Sequence, residues 1–134
     1  MKLYPTKTEL IHYLSLKMRN QDIAKEYGLH FQKIIQLIKK HQLDPNKLRK
    51  TDKFIVYEHH YKNKVIYIGS GLWYRCRRSS NRRNLEHRRL MEEGKIKFVI
   101  AGEFDTREEA RQKEVQLIRK YKEIGQADFN KHVR

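Results

Sequence analysis

The chain has 134 residues, with 31 Lys and Arg against 16 Asp and Glu, for a net charge of +15. That length makes one domain or two small ones, and the charge far exceeds the magnitude of about 2–8 that keeps a small domain soluble, so a polyanionic partner, nucleic acid first, is expected. No apolar run approaches the ~20 residues of a bilayer span, no secretory leader is visible around Lys2, Lys7, Lys17 and Arg19, and the single Cys76 excludes an internal disulfide framework and a multi-cysteine zinc site.

The positive charge runs through the whole length: residues 1–50 hold 11 Lys and Arg against 4 acidic residues, and residues 51–134 hold 20 against 12. Thr6 and Glu9 have the spacing of a capping box and predict a first helix with Leu10, Ile11 and Leu14 on one side. A second helix is expected after Asn20, an N-cap type, running through Ile23, Ala24 and Tyr27 to Gly28, which accepts the positive φ that ends a helix sharply. A third is expected over residues 30–40. Ala24 is small where two helices would cross, Gly28 follows four residues later in the turn, and Ile34 lies ten residues after Ala24. Ile23, Tyr27, Leu29 and Leu37 fill the other inward positions. Over residues 20–41 this spacing resembles the helix-turn-helix of bacterial regulators. The resemblance implies that the third helix enters the DNA major groove. His30, Gln32, Lys33 and Gln36 would then meet base edges, Gln suiting adenine and Lys guanine, with Lys39 and Lys40 nearer the phosphates. Residues 44–53 have one large apolar residue in ten and contain Pro45, so they read as a linker. Two domains follow, 1–50 and 51–134.

The second part alternates strands and helices. Phe54-Ile55-Val56-Tyr57, a polar turn over residues 59–64, and Val65-Ile66-Tyr67-Ile68-Gly69 make a hairpin. Residues 75–89 then carry seven arginines and His87. The guanidinium fork matches the oxygens of a phosphate, so most of these, Arg77 and Arg78 among them, are expected along a DNA backbone. Trp73 and Tyr74 either stack on a base or fill the core. Residues 84–93 read as a helix stopped by Gly94, residues 97–101 as a third strand, and Thr106 with Glu109 as a second capping box opening a helix to about Lys122. That order predicts an α/β (α+β) fold, a small three-stranded, mainly antiparallel sheet flanked by helices. On the last helix the apolar stripe Ala110, Leu117, Ile118 and Tyr121 includes Glu114. A carboxylate on a buried face needs compensation, either from an arginine or from a hard divalent cation beside a phosphate.

Paired tyrosines in a hairpin, then an arginine, a histidine, a helix glutamate and a late asparagine form one constellation, and over residues 52–131 the chain resembles the GIY-YIG nuclease family. Tyr67-Ile68-Gly69 matches the second half of the name motif, and Ile55-Val56-Tyr57 stands for the first half, with Ile in place of Gly. Nine residues separate the two tyrosines; Glu114 is followed by Leu117-Ile118 and, sixteen residues on, by Asn130 in Asp128-Phe129-Asn130. The resemblance implies hydrolysis of phosphodiester bonds in double-stranded DNA with one Mg2+ (or Mn2+) per active site. In that reading Tyr57 accepts or relays the proton of the attacking water and Tyr67 orients water or phosphate. Arg75, with Arg77 as the alternative, stabilises the added charge, His87 assists, Glu114 holds the metal, and Asn130 braces the site. Joined to a base-reading domain, this gives a sequence-specific DNA endonuclease of restriction or homing type in a cytoplasmic, prokaryotic or phage-type setting. The alternatives are a structure-specific repair nuclease and a catalytically inactive DNA-binding regulator. A homodimer on a palindromic site is expected if both strands are cut.

Overall fold

The structure, a computed structural model, describes residues 4–78 and 83–130; Arg82 of the arginine-rich segment lies outside the described residues. The chain divides into two compact units, Met1–Asp52 and Lys53–Arg134.

The first unit contains α1 (Lys7–Ser15), α2 (Asn20–Tyr27), α3 (Phe31–Lys40) and α4 (Pro45–Arg49). The Thr6–Glu9 capping box forms with both of its reciprocal bonds. α2 starts one residue earlier than expected: Arg19 is the cap, and the Asp22 carboxylate accepts from both its backbone N–H and its guanidinium. Gly28, at φ 64°, ends α2 in the left-handed conformation. Leu10, Leu14, Met18, Ile23, Ala24, Ile34, Leu37 and Ile38 make one core. Ile11, expected inward, is exposed, because Leu10 and Leu14 already define the buried stripe and Ile11 sits ~100° around the helix from Leu10.

The expected linker is folded in its first half. Pro45 takes the first helical position and the Asp44 carboxylate accepts from the Asn46 and Lys47 N–H groups, a start signal that composition alone obscures. Arg49 is buried, donating to the Met18 carbonyl at 3.0 Å and to Asn20 Oδ1 at 2.6 Å, while Lys17 donates to the Arg49 carbonyl. Charged side chains therefore anchor α4 through hydrogen bonds to the neighbouring turn, and Leu48 adds its packing to the core.

The second unit runs β1 (Phe54–Tyr61), β2 (Lys64–Leu72), a 3-10 turn (Trp73–Arg77), α5 (Leu85–Glu92), β3 (Lys97–Phe104) and α6 (Arg107–Glu123). The sheet is antiparallel throughout, in the order β2-β1-β3. The hairpin turn is tighter than the sequence suggested. Lys62 and Asn63 both take positive φ, 50° and 63°, the two-residue turn that matches strand twist. His59 and His60 consequently lie in β1 rather than in the turn.

Strand alternation then sorts the side chains. Val56, Val65 and Ile68 pack against Ala110, Leu117 and Ile118 of α6, while Ile55, Tyr57 and Cys76 form a second cluster with Tyr67, Phe98 and Ile100. The outer edge of β2 is covered by residues 126–130. Ala127 and Phe129 donate to the Val65 and Ile66 carbonyls, Gln126 accepts from the Val65 N–H, and Asn130 both accepts from the Ile68 N–H and donates to its carbonyl. An otherwise open strand edge is thereby closed.

Candidate active site

Tyr57 pairs with Gly69 and His59 with Tyr67, so the two tyrosines and this histidine share the sheet face away from α6. The Tyr57 ring is buried and lies directly over Gly69: a Cβ built there would stand 2.3 Å from the Tyr57 hydroxyl oxygen and 2.4 Å from Cζ. Arg83, arriving just before α5, donates from Nη2 to the Tyr57 hydroxyl at 3.4 Å and holds its guanidinium 4.7 Å over the Tyr67 ring. It also donates to the Arg78 carbonyl, which fixes the fork in place. Asn84 caps α5 by accepting from the His87 N–H. The His87 ring stacks on Phe129, with centroids 4.9 Å apart, and its Nε2 lies 2.8 Å from His59 Nδ1. His59 Nε2 in turn meets the Cys76 carbonyl at 2.6 Å.

Burial sets the electrostatics of this face. It pushes the Tyr57 phenol up to about 12, with Tyr67 adding to the effect and Arg83 opposing it. Only ~1 in 10⁵ of such phenols is ionised at pH 7. Burial also lowers His59 to about 3, against the upward pull of its bond to the Cys76 carbonyl, and lowers His87 to about 4 with help from the Arg83 charge. Both rings are neutral at pH 7. The unfolded chain takes up these protons below about pH 6.5 and the folded chain refuses them until pH 3–4, so stability is full above 6.5 and falls with acid. Urea unfolding between pH 7 and 4.5 is expected to lose up to ~1.4 kcal/mol per pH unit for each histidine. A stability that stays level through that range would mean that the rings are not held neutral.

Of the residues expected at the site, Tyr57, Tyr67 and His87 are brought together, and Asn130 grips the neighbouring Ile68 backbone. The arginine expectation shifts. Arg75 is exposed, Arg77 lies 4.6 Å over the Phe98 ring, and Arg78 is exposed with its guanidinium 5.8 Å over Tyr74. The arginine at the tyrosines is Arg83. Glu114 is half-buried, and Oε1 accepts from the Ser70 hydroxyl at 2.5 Å; Ser70 pairs with Val56 and shares the α6 face. The carboxylate and the tyrosines thus approach β2 from opposite faces, yet they converge on three consecutive residues. Asn130 holds Ile68, Tyr57 covers Gly69, and Glu114 holds Ser70.

Among the described residues no three His, Cys, Asp or Glu side chains gather into a closed metal cage. One carboxylate beside one hydroxyl is the donor set of a hard cation held mostly by water and phosphate, as Mg2+ commonly is. His59 is the residue that sequence reading missed. Extending the period-two alternation two residues past Tyr57 puts it on the tyrosine face, but a turn was expected there.

In the first unit, His30, Gln32, Gln36, Lys39 and Lys40 are exposed along α3, and Lys33 is half-buried with Nζ 4.7 Å over the Tyr4 ring. His30 caps α3, its Nδ1 accepting from the Gln32 N–H, so Nε2 is the nitrogen left to face outward. Compared with known proteins, the chain matches no family model, no curated protein and no solved structure.

Proposed function

We propose that the chain is a DNA endonuclease of the GIY-YIG type, with the second unit hydrolysing phosphodiester bonds and the first supplying a helix-turn-helix that addresses it to a sequence. The observation that carries this reading is the gathering of Tyr57, Tyr67, Arg83 and His87 on one face of a small antiparallel sheet, with Asn130 and Glu114 fastened to the same stretch of β2. The net charge of +15 supplies the general attraction to a polyanion.

Hydrolysis of a phosphodiester needs an activated water, neutralisation of charge on the phosphate, and relief for the leaving 3′ oxygen. Arg83, its Nε and Nη2 held by the Arg78 carbonyl and the Tyr57 hydroxyl, offers its charge and its Nη1 donors to a phosphate. Tyr57, protonated at neutral pH, donates its O–H rather than taking a proton. His87 is neutral at pH 7 and, though its ring is buried, keeps one ring nitrogen that His59 does not meet; in this reading that nitrogen accepts the water's proton. Glu114 and the Ser70 hydroxyl, on the α6 face of the same stretch of β2, would hold the divalent cation, Mg2+ or Mn2+, and the cation would supply positive charge to the bound DNA phosphate.

Incubation of phage and plasmid DNA with the full chain is expected to give discrete fragments in Mg2+ and none in EDTA. Glu114→Gln is expected to lower cleavage by at least about 100-fold while DNA affinity survives. Equal cutting by that variant would remove the metal assignment. A second reading, a DNA-binding regulator that does not cut, is favoured by one observation: Glu114 already has a structural partner in Ser70. Binding without cleavage in every metal tested would establish it.

A further inference from the structure

We propose that His59 is a positioning residue for His87, fixing the tautomer and orientation in which His87 accepts a proton. The inference rests on reading the tyrosine face as a hydrolytic site.

Donor and acceptor logic carries it from one atom to the next. The Cys76 carbonyl can only accept, so at 2.6 Å His59 Nε2 must carry a hydrogen. A neutral imidazole has one N–H, which leaves His59 Nδ1 as a lone pair. At 2.8 Å from that lone pair, His87 Nε2 must be the donor. His87 therefore has its own lone pair on Nδ1, and the opposite tautomer of either ring breaks the chain.

The surroundings hold both rings in this arrangement. His59 is fully buried between Tyr57, Tyr67 and Phe98, the last edge-on at 85°, and cannot turn without displacing them. His87 is stacked on Phe129. A second proton on His59 would set two N–H groups against each other at the His59–His87 contact. Charge also opposes it: Arg77, Arg83 and His87 disfavour the cation, and the remaining titratable neighbours, Tyr57, Tyr67 and Cys76, supply no carboxylate to offset them. The chain further ties three elements together. The 3-10 turn presents the carbonyl, β1 the relay ring, and α5 the acceptor.

The test uses full-length chain labelled with ¹⁵N-histidine. Long-range ¹H–¹⁵N spectra at pH 7, assigned with His59→Phe and His87→Gln, are expected to show Nε2–H signatures for both rings. His59→Phe keeps the ring volume and removes the acceptor. In it His87 should become a mixture of tautomers, and the cleavage rate constant should fall about 10- to 100-fold with KM for DNA unchanged. His59→Asn, whose amide oxygen occupies the Nδ1 position, should restore the His87 signature and part of the rate. It also keeps the question open to test if His59→Phe fails to fold. An Nδ1–H signature on His87 in the natural chain would overturn the proposal, as would an unchanged His87 signature or an unchanged rate in His59→Phe. A natural chain that cuts no DNA would remove the hydrolytic reading itself, whatever the tautomer spectra give.

Discussion

Gly69→Ala is expected to abolish cleavage and to destabilise the second unit by about 3 kcal/mol. The backbone at Gly69 does not require glycine, since its φ is not in the left-handed range, so alanine meets no conformational penalty there. The cost is entirely steric. The new Cβ would stand 2.3 Å from the Tyr57 hydroxyl oxygen, 2.4 Å from Cζ and 2.9 Å from Cε2, where real contacts exceed 3 Å. Tyr57 has no room to retreat, being packed among Ile55, Cys76, Tyr67 and His59. The ring must leave its place, taking the hydroxyl away from Arg83. Tyr57→Phe in the same chain should not relieve the clash, because Cζ and Cε2 remain. Tyr57→Ala combined with Gly69→Ala should cost less stability than the two single losses added together, and that double-mutant coupling, measured by urea unfolding, is the deciding observation. Additive losses would mean that the ring does not rest on Gly69, and the geometry of the site would have to be redrawn.

Much of this molecule is legible in the amino-acid order because its signals are local. The Thr6–Glu9 box, Gly28, the two apolar runs of the hairpin and the α6 stripe each act within a few residues, and each predicted element forms. The failures share a cause. α4 looked like a linker because its anchors are charged, and only tertiary partners such as the Met18 carbonyl make Arg49 a core residue. His59 looked like turn because Lys62 and Asn63 can close the hairpin in two residues, which no composition rule distinguishes from six. Glu114 does lie beside the apolar stripe, but the sequence cannot say which sheet face the helix covers, and the register puts Ser70 rather than a tyrosine opposite it. Among seven arginines in fifteen residues, spacing from the motif pointed to Arg75. What selects Arg83 is instead the end of the connecting segment, where the chain returns to the sheet to start α5.

That selection makes the sharpest activity prediction. Arg83→Ala is expected to lower the cleavage rate by about 10²–10³-fold, the loss typical of removing one group aimed at developing charge in a closed site. Arg75→Ala and Arg77→Ala should cost far less in rate, because Arg75 is exposed and Arg77 is committed to the Phe98 ring. Arg83→Lys should recover little. A lysine carries the charge but cannot at once bond the Tyr57 hydroxyl and the Arg78 carbonyl, sit over the Tyr67 ring and keep further donors for a phosphate. The salt dependence of DNA binding separates this role from simple attraction. An arginine that only tracks the backbone changes the slope of affinity against salt by about one phosphate's worth of counterion release and leaves the chemical step alone. Arg83→Ala should instead depress the single-turnover rate at saturating DNA. Should Arg75→Ala depress that rate while Arg83→Ala changes binding alone, the arginine eight residues after Tyr67 is the one at the phosphate, and Arg83 serves to hold the two tyrosines in register.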